Sequence, residues 1–228
     1  MCAARISVVV PAYNAETYLR EALCSILKQT LVPDEIIVVN DGSSDKTTQI
    51  ADNFDDVRLL DMPHAGAAAA RNMGVTHTSG RYLAFLDADD LWAPTKIERQ
   101  LEHLHQNPDT QGVFTLLRQF VSSELPDSEK SRYKLGEKPV PALVAGSLLI
   151  DRAAFLDVGL FDETLLTGEF IEWMLRARQN GIKFSTIDET LMFRRIHGKN
   201  SVLRNQSLLG KDYLRIVRQN LKNQNDDN

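Results

Sequence analysis

A chain of 228 residues can bury the core of one large α/β domain, or of a domain with a small appendage. Its 43% hydrophobic and 25% charged residues are the balance of an ordinary soluble protein, and a net charge of −5 excludes a broad attraction to nucleic acid or anionic lipid. Cys2 and Cys24 are its only cysteines and form no CxxC, which excludes a disulfide framework or a thiolate zinc site and favours a reducing compartment.

The opening residues, MCAARISVVVPAYN, lack the long apolar core of a signal peptide. No apolar run approaches the roughly 18 residues of a membrane helix, so a soluble, cytoplasmic protein is expected. The β-branched run at 6–10 predicts a strand buried on both faces, which Pro11 should end because it cannot donate to a ladder. From 16 to 28, Tyr18, Leu19, Ala22, Leu23, Ile26 and Leu27 recur at helical spacing. A second buried strand, EIIVV at 35–39, runs into NDGSSDKT, a turn of helix-capping residues.

VRLL at 57–60 predicts a third strand, and HAGAAAARNMGV an Ala-rich helix with Gly74 near its end. YLAFL at 82–86 predicts a fourth strand, and PTKIERQLEHLHQN a helix. Alternation of strands and helices implies a mainly parallel sheet covered on both faces, whose ligands sit beyond the carboxyl ends of the strands. Residues 11–14, 40–45 and 87–90 all fall at such ends, so these polar clusters should share one crevice.

After residue 107 the pattern loosens. GVFTLLRQF predicts a strand, and residues 121–141 a long polar surface loop. EFIEWMLRARQNG predicts a helix stopped by Gly181; KFSTI and LMFRRI predict two short strands. Residues 201–228 are expected to form a C-terminal helix with a disordered tail.

The segment RYLAFLDADDLW crowds Asp87, Asp89 and Asp90 at one strand end, where the carboxylates repel one another. An Asp capping the helix after Pro94 would explain one of them. A divalent cation held beside a phosphate would explain the crowding itself.

In order along residues 5–201, ISVVVPAYN, AETYLREALCSILKQT, EIIVVNDGSSDKT, GAAAARNMGV, RYLAFLDADDLW, GLFDE and RRIHGKNS resemble the family 2 glycosyltransferases. The resemblance implies a GT-A, Rossmann-like fold and transfer of a sugar from a nucleotide diphosphate, usually with inversion and a Mg or Mn ion. A UDP-sugar is the favoured donor and the acceptor an unspecified hydroxyl. It further implies one domain over 1–200, with a nucleotide-sugar half (1–95) and an acceptor-side half (96–200). No nucleic-acid partner and no membrane span are expected, and peripheral membrane association stays open.

The same resemblance assigns roles. Asp41 would accept from the N3–H of uracil, which cytosine lacks, with Tyr13 stacking on the base and Pro11 and Ala12 alongside. As bland alternatives, Asp41 stabilises its turn and Tyr13 packs in a loop. Glu16, Asp87 and Ala88 complete the donor contacts, and Arg71 is aimed at the diphosphate. Asp89 is the first choice as metal ligand, joined by His197 from RRIHGKNS, which would otherwise be a surface histidine. His64, His77, His103 and His105 read as structural or solvated.

At one place the chain departs from the family. Inversion needs a base opposite the leaving group, which the family supplies as the Asp of a Glu-Asp pair six residues before an Arg. Counting back from Arg176 in TGEFIEWMLR, that position is Phe170. Glu169, one residue earlier, becomes the candidate base; Glu172 reads as an exposed helix acid. A GT-A-like protein that holds a nucleotide sugar without turnover is the competing function. A sugar nucleotidyltransferase lacks its Gly-rich N-terminal loop here, and a dinucleotide oxidoreductase lacks GxGxxG.

Overall fold

Val8 and Val10 face one side of the first strand and Val9 the other, and all three are fully buried. A strand apolar on both faces belongs at the centre of a covered sheet, and this one lies there. The computed structural model describes residues 5–133, 135–136, 138–141, 143–198 and 215–216. The expected C-terminal helix and tail at 201–228 lie outside them except for Arg215 and Ile216.

Among the described residues nine strands form one sheet. They are β1 (Ile6–Ala12), β2 (Glu35–Asp41), β3 (Val57–Met62), β4 (Tyr82–Phe85), β5 (Leu91–Trp92), β6 (Gly112–Val121), β7 (Val140–Pro141), β8 (Leu149–Asp151) and β9 (Phe184–Ile196). The order is β3-β2-β1-β4-β8-β6-β9-β5, with β7 paired to β6. Pairing is parallel across β3, β2, β1 and β4 and between β6 and β9, and antiparallel where β8, β7 and β5 join. The strand order reverses between β1 and β4, where a doubly wound sheet opens its crevice.

Helices α1 (Leu19–Leu27), α2 (Thr47–Ala51) and α4 (Lys96–Gln106) cover one face, packing with Val8, Val10, Ile36 and Val38. On the other face, α3 (Ala67–Thr76), α6 (Arg152–Val158) and α7 (Glu169–Gln179) pack with Val9, Ile37 and Val39. A single turn, α5 (Asp127–Lys130), together with β7 interrupts the stretch expected to be a plain loop.

Four expectations need correction. Pro11 lies inside β1, opposite Val39. The β4 ladder ends at Val9 and Phe85, and Val9 O accepts from Leu86 N. Pro11, two residues on, therefore turns its proton-less nitrogen to the same side, past the end of β4. Gly74 is interior to α3, which ends at Thr76: a Cβ there would stand 2.3 Å from Val9 Cγ1, so the glycine permits close helix–sheet approach rather than stopping the helix. The two short strands at 184–196 are one strand, β9, whose register against β6 shifts near Leu116. Helix α4 is preceded by Thr95 and receives no side-chain cap, so no Asp of the DADD turn caps it.

Candidate active site

The three polar clusters meet beyond the ends of β1, β2 and β4. Ala12 pairs with Asn40, and the loops that follow are laced together. Asn14 N–H donates to Ser43 Oγ (2.9 Å), Ser44 N–H to Asn14 Oδ1 (2.9 Å), and Glu16 N–H to Asp45 Oδ2 (3.0 Å). Asn14 takes the left-handed backbone such a turn needs (φ 48°). Glu16, expected among the donor contacts, directs its carboxylate to the Lys46 N–H at 3.2 Å, a contact that ties loop to loop.

Asp41, at the end of β2, is buried, with a well-occupied carboxylate. Oδ1 accepts from Ala65 N–H (2.7 Å); Oδ2 accepts from Gly66 N–H (2.9 Å) and His64 Nδ1 (2.9 Å). Because an ionised carboxylate only accepts, His64 carries its proton on Nδ1 here. The same imidazole stacks on Tyr13, with ring centroids 4.0 Å apart and planes 18° apart. Tyr13 is half exposed beside Pro11 and the buried Ala12. His64, read from sequence as structural or solvated, thus joins the two residues expected to recognise a base. Its one sequence signal is its place just before Gly66, at the mouth of α3.

Arg71 is buried at the centre of an acidic bridge. Nη2 donates to Asp87 Oδ1 at 2.5 Å and Nη1 to Glu169 Oε1 at 2.6 Å. Burial opposes the charge, but Asp87 and then Glu169 outweigh it and hold the guanidinium more firmly protonated than usual. Its Nε is buried without a hydrogen-bond partner among the described residues. The geometry joins the DADD turn to the start of α7, so donor-side and acceptor-side candidates share one arginine.

Gly168, in the left-handed region (φ 80°), starts α7 and sets Glu169 towards Arg71. Phe170 turns the opposite way. It is buried among Phe114, Phe161 and Trp173, with centroids 6.1 to 6.4 Å away. Glu172 is not the exposed acid expected: it is mostly buried and bound to Arg176 at 2.7 Å.

Asp89 Oδ2 lies 2.8 Å from His197 Nε2, although the two are 108 positions apart in sequence. Asp90 is buried, and its Oδ1 accepts from Arg195 N–H at 2.9 Å. Burial, then the Asp89 and Asp87 charges, push its carboxyl well above the usual range. Mg²⁺ and Mn²⁺ commonly take few protein ligands and fill the rest with phosphate oxygens and water. Asp89 and His197 fit such a two-point site; among the described residues no group of three or more His, Cys, Asp or Glu is placed to hold an ion.

No helix of the described residues is long and apolar enough to cross a membrane. Residues 7–155 match the profile of glycosyl transferase family 2. A glycosyltransferase of Rickettsia typhi is 35% identical over 205 residues, covering 84% of this chain and 64% of that protein. The chondroitin synthase of Pasteurella multocida is 29% identical over 231 residues, covering 96% of this chain and 23% of the synthase. The chain thus spans less than two thirds of the length of each. Among solved structures, S. aureus TarS residues 1–349 superpose with TM-score 0.69 at 22% identity, covering 84% of this chain and 60% of TarS. Its complex with UDP-GlcNAc gives TM-score 0.71 at 21% identity, covering 86% and 60%. The fold is that of the GT-A glycosyltransferases, and the chain belongs to glycosyl transferase family 2.

Proposed function

We propose that this chain transfers a sugar from a UDP-sugar to a hydroxyl acceptor, with inversion and with the help of a divalent cation. The observation that carries the reading is that three contact groups, Tyr13 and Asp41 through His64, Arg71 with Asp87, and Asp89 with His197, draw on the loops after the adjoining strands β1, β2 and β4, where the strand order reverses. TarS, of the same fold, has been solved with UDP and with UDP-GlcNAc, which favours uridine among the possible bases.

Tyr13 and Asp41 take the base. A carboxylate offers about four lone-pair sites, of which three on Asp41 are filled by its own chain, so the N3–H of uracil takes the fourth. Arg71 faces the diphosphate; Asp89 and His197 would hold the cation. When bound, the ion acts as a Lewis acid that stabilises charge on the departing diphosphate.

Glu169 is the proposed base. Arg71 engages Oε1, and Oε2 has no partner among the described residues. That oxygen takes the acceptor's hydroxyl proton as the acceptor oxygen bonds to the anomeric carbon. The bond from that carbon to the diphosphate breaks on the opposite face, and UDP leaves with the electron pair. Residues 1–95 form the donor half in this reading and residues 96–200 the acceptor half.

A second reading has its own support: Phe170 faces the core, and the Glu169 carboxylate is already ion-paired to Arg71. A nucleotide-sugar-binding protein without turnover would look the same. Thermal shifts with UDP-, GDP-, TDP- and CDP-sugars, with and without Mn²⁺, test the donor. UDP release from the stabilising sugar then separates the two readings. Stabilisation by the UDP-sugar with slow Mn²⁺-dependent hydrolysis supports the enzyme. Stabilisation without hydrolysis or transfer to an offered acceptor supports the binder, and no preference for uridine contradicts both.

A further inference from the structure

Arg195 is buried, and neither the base, the diphosphate nor the catalytic carboxylate uses it. Its main-chain N–H donates to Asp90 Oδ1 (2.9 Å), its Nε to the main-chain oxygen of Asp89 (3.0 Å), and its Nη2 to Glu21 Oε2 (2.5 Å). The guanidinium also packs on two rings, its Cζ 4.6 Å from the centroid of Tyr18 and 4.8 Å from that of Phe120. A planar cation packed on two rings and bonded at its edge has little freedom left.

This clamp joins four elements: α1 through Glu21, β6 through Phe120, β9, and the DADD turn. His197 follows Arg195 by two positions. Its Nε2 meets the Asp89 carboxylate, and Tyr18 packs on its ring at 4.7 Å. The end of β9 and the residue that follows it therefore grip Asp89 at both its main chain and its side chain. The attachment is reinforced where β5, directly after Asp90, pairs with β9 through Leu91 and Phe193.

We propose that Arg195 is a positioning residue for the Asp89–His197 pair and so sets how tightly the site holds its divalent cation. The inference rests on the metal-dependent reading above. It carries a sign that separates it from simple electrostatics. Removing a positive charge beside a cation site should tighten cation binding. If the arginine works by placing the two ligands, removing it should weaken binding instead.

The test is Mn²⁺ binding to the full chain at saturating UDP, followed by the paramagnetic resonance signal of free Mn²⁺, in the wild type, Arg195→Gln and Arg195→Lys. UDP affinity in chelator and the circular dichroism spectrum are recorded alongside. The expected result is at least tenfold weaker Mn²⁺ binding in Arg195→Gln and an intermediate loss in Arg195→Lys, which keeps the charge but not the fork. Metal-free UDP affinity should stay unchanged. Unchanged or tighter Mn²⁺ binding in a folded Arg195→Gln overturns the proposal; if that variant does not fold, Arg195→Lys decides by the same comparison. A wild type that binds UDP but no Mn²⁺ refutes the metal reading itself, and the proposal with it.

Discussion

Phe170 stands at the counted position of the family's base, yet its ring packs with Phe114, Phe161 and Trp173. Phe170→Asp should therefore not create a base. It should bury an unpaired carboxylate among aromatic rings and lower stability by about 3 kcal/mol or more, read from urea denaturation. Glu169→Gln, in contrast, should leave UDP affinity within a few-fold and reduce transfer by about 10²–10⁴, as expected for loss of a general base. Equal turnover in the two proteins would remove Glu169 from the mechanism. The substitution at Phe170 was legible in the spacing to Arg176. Its inward orientation was not, because Phe114, one of the rings it meets, comes from β6, distant in sequence. Lys96 was equally hidden. It is fully buried, donates to Gln100 Oε1 at 2.7 Å, and lies 4.1 Å from the centroid of Trp92. Burial pulls its ammonium well below the usual lysine range. The unfolded chain then binds the extra proton, so stability should rise with pH up to the ordinary lysine value near ~10.4. Lys96→Met should flatten that rise in denaturant titrations taken up to about pH 10.

Strand β1 and helix α3 meet so closely that Gly74→Ala would place a methyl on Val9. The expected loss is about 1–3 kcal/mol from overpacking. Combining it with Val9→Ala, which opens the space, should recover part of that loss in a double-mutant cycle. Additive effects would mean that the two residues do not share the space. The start of β2 is tied elsewhere. Glu35 accepts from Ser7 Oγ, from Ser79 N–H (2.8 Å) and from Ser79 Oγ (2.6 Å). Burial alone would raise its carboxyl, but these bonds outweigh it and hold the group at about 2 against an ordinary 4.5. A depressed acid stabilises the fold above its unfolded value and loses that contribution as pH falls through the folded one. Glu35 should thus contribute on the order of 2 kcal/mol above about pH 4.5, disappearing towards pH 2. Glu35→Gln should remove that part of the acid dependence. Most elements were visible in advance because their apolar periods are local: 6–10, 35–39 and 82–86 as buried strands, 16–28 and 169–179 as helices. The exceptions include α6, the short elements β5, β7, β8 and α5, which are too short to show a period, and the junction inside β9, where Asp188 and Glu189 resemble a turn until β6 pairs alongside.

A mainly parallel sheet and the family could be anticipated because the motifs are contiguous and ordered along the chain. What stayed hidden was contact between distant segments: His64 with Tyr13 and Asp41, Arg71 with Glu169, Arg195 with Glu21 and Asp89. Each depends on a side chain whose partner lies tens of positions away, which no local pattern encodes. Asp41 supports the loop at 64–66 as well as facing the proposed base. Asp41→Ala should therefore lower stability along with base discrimination, and Asp41→Asn is the gentler probe. The most direct test is calorimetric titration of UDP and CDP into the wild-type chain, with Mn²⁺ and again with chelator. A charge-assisted hydrogen bond to the base is worth about 1.5–3 kcal/mol, so UDP should bind at least tenfold more tightly than CDP. Chelator should weaken UDP binding markedly. Equal affinities for the two nucleotides, or a UDP affinity unchanged by chelator, would contradict a metal-assisted uridine site at the ends of β1, β2 and β4.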